Sequence, residues 1–297
     1  MNGPRYVPQP IPYQGSKRQL APRILPYFPK DAQRIVEPFA GSAAITIAAA
    51  SQRLASKFWI NDAHTPLMDL WREIIENPDS IFLAYARLWN AQLGNEREFF
   101  NIVRTRFNQS HRPEDFLYLL TRCVKATIRY NSNGEFNNTP DNRRKGARPA
   151  EMRHRIEHAS SLLQGRTKIT AWGYKKVLDK CTENDLVYMD PPYQGVCGNR
   201  DQRYLPKVEY DEFCLELKKL NERNIRYVIS YDGRTGNKEY GQPMPDSLEL
   251  TRIELRAGRS TQATLLGRSD VTYESLYLSP NLSRAEILDR ETQMSLW

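Results

Sequence analysis

The run Leu186-Val187-Tyr188-Met189-Asp190-Pro191-Pro192-Tyr193 joins a short apolar segment to a carboxylate, two prolines and an aromatic ring. Preceded by the turn-like Thr182-Glu183-Asn184-Asp185, the segment reads as a buried strand of a parallel sheet, and such sheets bind ligands where their strands end. Two prolines cannot continue a ladder because they lack N–H groups, yet their carbonyls stay available and their φ angles are fixed. Asp190 and the Pro191 carbonyl thus form rigid acceptors beside the flat face of Tyr193, a set that suits a planar ring bearing an exocyclic amino group. A strand-to-loop turn without chemistry is the plain alternative, and the rest of the chain has to decide.

Two earlier stretches supply a second set. Tyr13-Gln14-Gly15-Ser16-Lys17-Arg18, ahead of Leu20, Ile24 and Leu25, predicts a loop feeding a helix, where N–H groups and the Lys17 ammonium can contact an anion. Arg34-Ile35-Val36 predicts a strand that breaks at Glu37-Pro38-Phe39-Ala40-Gly41-Ser42 before an Ala/Ile-rich helix over 43–51. Small residues at a helix N-terminus let a ligand approach the backbone, as in nucleotide-type cofactor sites. Glu37 changes the ligand: a carboxylate there repels a pyrophosphate and suits an ammonium or sulfonium centre. Asp62, closing the strand Lys57-Phe58-Trp59-Ile60-Asn61 about twenty residues later, has the spacing of a ribose-binding acid. Helix capping is its other reading, since Thr65-Pro66 follows.

The elements that must position these groups alternate. Strand signals at 168–170, 187–189, 227–230, 248–255 and 274–278, with helices near 149–163 and 209–220, predict a doubly wound α/β sheet. Between its second and third strands lies a helical block, with amphipathic segments at 67–75, 81–93, 99–107 and 116–128. The turn-rich Arg129-Tyr130-Asn131-Ser132-Asn133-Gly134-Glu135-Phe136-Asn137 and the cluster Arg143-Arg144-Lys145 follow it. From Arg122 to Arg155 nine Lys/Arg stand against three Asp/Glu, a local +6 that holds most of the chain's net +8. Cations interleaved with Asn and Tyr130 can grip phosphates and read base edges; a solvated loop is the bland reading.

The 297 residues are 40% apolar and 10% aromatic, enough for one or two cores. No apolar run of about 18 residues exists and the first residues lack a secretory core, so a cytoplasmic protein that does not enter a membrane is expected. The four cysteines have no CxxC spacing, which argues against a zinc knuckle or a disulfide framework. His154 and His158 stand one helical turn apart without a third ligand nearby, so no metal is expected. The pI near 9.3 favours a polyanionic partner.

Tyr13-Gln14-Gly15-Ser16-Lys17, Glu37 to Ser42, Arg129-Tyr130-Asn131 through Gly134 to Asn137, and Asp190 to Tyr193 occur in the order of the Dam-type (alpha group, D12 class) DNA adenine-N6 methyltransferases, which the chain resembles over nearly its whole length. The resemblance implies a Rossmann-like methyltransferase sheet in two parts, 1–65 and 166–297, around a helical target-recognition domain at 66–165. It implies S-adenosyl-L-methionine as cofactor, held by Tyr13, Gly15, Lys17, Glu37, Pro38, Phe39, Gly41, Ser42, Asp62 and Asp190. Asp190, Pro191, Pro192 and Tyr193 would surround a flipped adenine, while Arg129, Tyr130, Asn131, Asn137, Arg143, Arg144 and Lys145 would hold duplex DNA. A companion restriction endonuclease and a bacterial, archaeal or phage source fit the same family. Two positions depart from its pattern. Ala43 stands for a second small glycine and is expected only to tighten the turn. Trp172-Gly173 stands where an acid-plus-aromatic pair often meets the cofactor's adenine, which leaves open what holds that ring. A silent DNA-binding module, or a methyltransferase acting on RNA, is the alternative.

Overall fold

The computed structural model describes residues 6–192, 208–235, 238–259 and 271–282. Tyr193 lies outside these residues. A first 3-10 turn (Lys17–Gln19), the short helix α1 (Ala21–Ile24) and a second 3-10 turn (Leu25–Tyr27) precede strand β1 (Arg34–Glu37), helix α2 (Ala44–Gln52) and strand β2 (Lys57–Asn61). Helices α3 (Thr65–Glu76), α4 (Pro78–Ala91), α5 (Glu96–Ser110), α6 (Pro113–Arg122) and α7 (Pro149–Leu163) follow before the chain returns to strand. The remainder runs β3 (Thr167–Thr170), α8 (Tyr174–Asp179), β4 (Asp185–Met189), α9 (Tyr210–Glu222), β5 (Arg226–Thr235), β6 (Lys238–Tyr240), β7 (Thr251–Arg259) and β8 (Val271–Leu278).

The strand order is β3-β2-β1-β4-β5-β8-β7, with β6 paired to β5. The first five are parallel, in a register that sets Val36 beside Trp59 and Val187, and Val187 beside Tyr227. β8 and β7 are antiparallel. The chain therefore winds outward from β1 to β3, returns to the other side of β1 as β4, and winds outward again. At that reversal the connections leave β1 and β4 toward opposite directions, opening a crevice at their carboxyl ends. Glu37 is the last residue of β1, and Asp190 directly follows Met189, the last residue of β4.

Why the middle of the sheet is so apolar follows from its two coats. One face carries Ile35, Phe58, Ile60, Leu186, Tyr188 and Val228 against α1, α2 and the helical block; the other carries Val36, Trp59, Val187, Met189, Tyr227 and Ile229 against α8 and α9. Every residue of β4 is buried, as a strand covered on both sides requires. Helix α2 is short on large side chains (Ala48, Ala49 and Ala50 are all buried), so it lies close to the sheet.

Helices α3 to α7 pack on one another, α3 and α4 each against both α6 and α7, and α5 against α6. α7 also touches α2 and α3 touches β3, and the buried cluster runs without a break from the sheet to Phe100, Phe107, Phe116 and Leu120. One expectation is corrected here: the helix anticipated over 116–128 stops at Arg122. Lys125 and Ala126 take left-handed φ values of 60° and 49°, because this segment turns to dock on the first loop, where Gln14 N–H donates to the Ala126 carbonyl at 3.1 Å and Thr127 donates to the Gln14 side chain. Side-chain periodicity carries no trace of such a remote acceptor. β5 is also longer than expected, continuing to Thr235 through a bulge after Tyr231.

Candidate active site

The chemistry-bearing end of β4 is organised by an ion pair. Lys17 Nζ donates to both carboxylate oxygens of Asp190, each at 2.9 Å, and lies 3.6 Å from Glu274 Oε2 on β8. Only 8% of the Lys17 side chain is exposed, against 21% for Asp190. Burial alone would lower the lysine's pKa; the carboxylates of Asp190 and Glu274, with Tyr188, outweigh it and hold the ammonium well above its usual range. Among the described residues, the anion nearest Lys17 is thus the chain's own Asp190. Glu274 was missed by sequence reasoning, although one signal existed: it alternates with Leu276 and Leu278 on a face that is otherwise apolar.

The turn after β1 is built for close approach. Gly41 has φ 49°, and a Cβ there would lie 3.0 Å from the Tyr13 ring. Gly15 sits at φ 84° in the first loop, and Ser42 Oγ donates to Ser16 Oγ at 2.8 Å, so the two loops are pinned together. Ala43, the N-cap of α2, has φ 47° and ψ 34° and offers no side-chain acceptor to the helix. Glu37 supplies the missing cap from the strand: its Oε2 accepts from Thr46 N at 3.1 Å and Thr46 Oγ1 at 2.6 Å. The departure at Ala43 therefore strains the turn as well as tightening it, since a left-handed conformation disfavours any residue with a Cβ. Ala43→Gly should relieve about 1 kcal/mol and raise the thermal midpoint by roughly 2 °C, after allowance for the greater freedom of glycine in the unfolded chain. A lower midpoint in a calorimetric scan would mean that the packing of the Ala43 methyl outweighs the strain.

Burial pushes the Glu37 carboxyl up to about 8, the two Thr46 bonds pulling the other way and the charges of Asp190 and Asp62 adding to the rise. Asp62 accepts from His64 N at 3.0 Å and Gly41 N at 3.1 Å, and burial pushes it up to about 6. Capping of α3 belongs to another residue: His64 is the N-cap, and its Nδ1 accepts from Leu67 N at 3.2 Å. Phe39 lies against Tyr174, with ring centroids 5.2 Å apart, and against Phe213 at 6.4 Å. Pro38 is held by its carbonyl, which accepts from Asn61 Nδ2 at 2.9 Å.

Asn61, fully buried, is a second residue that sequence reasoning passed over. Its amide also donates to the Trp172 carbonyl at 2.9 Å and accepts from Trp172 N at 2.8 Å and Thr170 Oγ1 at 2.7 Å. It ties the ends of β1, β2 and β3 together as one rim. Trp172 keeps its ring partly exposed, with Lys176 Nζ 4.2 Å and Lys168 Nζ 4.8 Å from its centroid.

The cationic stretch divides into two parts. Tyr130 and Phe136 bridge a hairpin whose tip is closed by Asn131, its Oδ1 accepting from Asn133 N and Glu135 N. Asn138 braces the base by accepting from Arg129 N at 2.9 Å, and Arg129 and Asn137 are exposed. The Tyr130 hydroxyl lies 2.7 Å from His64 Nε2. Because Nδ1 accepts from Leu67, Nε2 carries the proton and donates to the tyrosine, and burial keeps the ring neutral with a pKa down at about 3. The hairpin is thereby linked, through the His64 backbone, to Asp62. Arg143, Arg144 and Lys145 do not join this network. Arg143 and Arg144 pair with Asp141, and Lys145 with Glu96 at 2.7 Å. Arg122 is 1% exposed and donates to the Asp141 and Glu96 carbonyls, so the local +6 overstates the charge available outside.

A parallel sheet that reverses between β1 and β4, with a small-residue turn opening a helix beside one strand and Asp-Pro-Pro after the next, is consistent with a Rossmann-like methyltransferase fold. A model of the D12 class N6 adenine-specific DNA methyltransferases matches residues 13–256, and the chain belongs to that family. The Modification methylase StsI of Streptococcus sanguinis is 27% identical over 240 residues, covering 76% of this chain and 35% of that one. The Type II methyltransferase M1.LlaDCHI of Lactococcus lactis subsp. cremoris is 28% identical over 190 residues, covering 61% and 64%. The DNA adenine methylase of Vibrio cholerae is 25% identical over 187 residues, covering 62% and 64%. The chain therefore spans 35–64% of the length of these curated relatives.

Proposed function

We propose that the protein transfers a methyl group from S-adenosyl-L-methionine to N6 of an adenine flipped out of duplex DNA. The observation that carries this is the buried Lys17–Asp190 pair at the end of β4, across the crevice from the Glu37 to Ser42 turn. The residues fit the cofactor: Gly41 lets the Tyr13 ring pack against the turn, Asp62 is a buried acid with acceptor capacity for a ribose hydroxyl, and Phe39 offers a ring. Glu37, whose carboxyl is raised by burial, gains its charge most readily beside a cation such as a sulfonium. Bound there, S-adenosyl-L-methionine supplies an already activated methyl group.

The chain's own residues then have three tasks. The helical block and its hairpin hold the duplex and bear the flipping cost of a few kcal/mol, with Tyr130 filling the vacated stack. Asp190 and the Pro191 carbonyl accept from the two N6 hydrogens and turn the nitrogen lone pair out of the ring plane. Lys17 fixes the Asp190 carboxylate by donating to both of its oxygens. Tyr193 is assigned to stacking on the adenine from its place in the motif. On this reading 66–165 is the target-recognition part and 1–65 with 166–297 the catalytic part. No described helix is long and apolar enough to cross a membrane, and a DNA substrate puts the work in the cytoplasm. The names of two relatives favour a companion restriction endonuclease as partner.

Incubation with labelled S-adenosyl-L-methionine and duplex DNA, followed by sequencing of modified bases, tests the reaction. Label at adenine N6 in one sequence context is expected. Binding without label would mean a silent module, and label on RNA alone would mean the other substrate.

Asp62→Ala should weaken the cofactor dissociation constant by roughly tenfold to a hundredfold, the equivalent of about 1.5–3 kcal/mol for charge-assisted hydrogen bonds. An unchanged constant by calorimetry would take Asp62 out of the cofactor site. For the duplex, Arg144→Ala with Lys145→Ala should lower the slope of log affinity against log salt by up to about 1.8 while base choice survives. Tyr130→Ala should leave that slope alone and reduce the 2-aminopurine signal of flipping. Parent-like values for both variants would return this stretch to a solvated surface.

A further inference from the structure

Glu274 occupies a position that packing alone does not explain. On β8 it shares a face with Leu276 and Leu278, and among the described residues its buried Oε2 has no hydrogen-bond partner nearer than Lys17 at 3.6 Å. The neighbouring strand β5 is irregular where it pairs with Glu274. Register runs Tyr231↔Ser275 and then Gly233↔Glu274, skipping Asp232, which takes a left-handed φ of 54°. A Cβ on Gly233 would lie 2.5 Å from the Tyr273 carbonyl oxygen, so the crossing tolerates only glycine.

We propose that Glu274 is a positioning residue for methyl transfer, a second anchor that keeps Lys17 charged and in place while the charge of Asp190 is cancelled during turnover. The inference rests on the role given to Asp190 above. Methylation of an amino nitrogen forms one N–C bond and breaks the donor's S–C bond, whose electron pair stays on sulfur. One N–H proton must then leave, and Asp190 is the carboxylate assigned to that hydrogen. Once Asp190 is neutral, the buried Lys17 ammonium loses the charge of that carboxylate, and Glu274 at 3.6 Å supplies another within a small side-chain movement. Among the described residues, the other groups that act on this trio are Tyr188, on Lys17, and Glu37, whose carboxyl senses the charge of Asp190 from β1. On the opposite face of the flanking strands Arg234 pairs with Glu254 and Arg252 lies 3.5 Å from Asp232, while Arg226 at the start of β5 pairs with Asp31. Burial raises the Glu274 pKa above the usual carboxylate range, Asp190 adds to the rise and Lys17 opposes it.

Single-turnover methyl transfer by the full chain, measured across pH for the parent, Glu274→Gln and Glu274→Asp, tests this. At neutral pH the Gln variant should be about tenfold to a hundredfold slower, with cofactor and DNA dissociation constants within about twofold of the parent. Its rate deficit should close as the pH falls and Glu274 of the parent takes up a proton, and Glu274→Asp should recover part of the rate. A deficit that is constant across pH, or absent at neutral pH, overturns the proposal. A readout without activity separates it from the reaction itself: Glu274→Gln should partly restore the thermal midpoint lost in Lys17→Met. Lack of restoration overturns the anchoring role. A parent that transfers nothing while restoration holds would remove the methyl-transfer reading and leave the anchoring of Lys17 standing.

Discussion

Asp190→Ala should lower methyl transfer by at least about a thousandfold while duplex affinity stays within about twofold of the parent. The loss is that large because the carboxylate acts where charge develops on the flipped base, and a single preorganised group of this kind is worth about a hundredfold to a thousandfold before the loss of orientation is added. Duplex affinity survives because the candidate phosphate contacts lie on the hairpin and on Arg143 to Lys145, which make no bond to Asp190. The protein should also remain folded, since Lys17 keeps Glu274 at 3.6 Å. Single-turnover transfer and a gel-shift titration with the same duplex give both numbers. Turnover at the parent's rate would remove Asp190 from the chemistry.

Lys17→Met should be the most destabilising single change at the site. It leaves two carboxylates, 21% and 23% exposed, without the cation that both meet among the described residues. Removing one partner from a largely buried ion pair costs about 3–5 kcal/mol, and partial exposure brings the expectation to about 2–4 kcal/mol, or roughly a 5–10 °C fall in thermal midpoint. The pH dependence has a definite sign. Without Lys17, the Glu274 carboxyl, already raised by burial, rises further above its unfolded value, so its contribution is fully present below the unfolded pKa and is lost as pH rises through the folded one. The deficit of the variant should therefore shrink in mild acid and widen toward neutrality. Thermal scans at several pH values decide it, and a midpoint equal to the parent's at neutral pH would show that the ion pair is not buried in solution.

The local elements were largely readable from the chain. Leu186 to Met189 had to be a buried strand because nothing in it could face water, and Gly41 with its small neighbours had to be a tight turn. The order of the motifs carried the family and, with it, the α/β sheet interrupted by helices. These are properties of neighbouring residues, where side-chain period, glycine and proline act directly on the backbone. Asp62 carried two readings, and the placement of His64 as the N-cap of α3 takes the capping role from it. The count of cations between Arg122 and Arg155 was correct as a sum, but charge counting cannot see that Arg122 is buried against carbonyls or that Arg143 and Arg144 share Asp141.

What the sequence determined by itself, then, was which segments are strands and turns and which acids and rings stand at their ends. Tertiary structure alone decided the partners. Lys17 meets Asp190 across 173 positions of chain because β4 returns beside β1, and it meets Glu274 because β8 pairs beside β5 and its alternation sets Glu274 on the face of Leu276 and Leu278. Glu37 caps α2 because Ala43 cannot. Pairings of this kind depend on sheet order and register, which are selected by the burial of the whole core and leave no periodic trace in the residues that the core brings together.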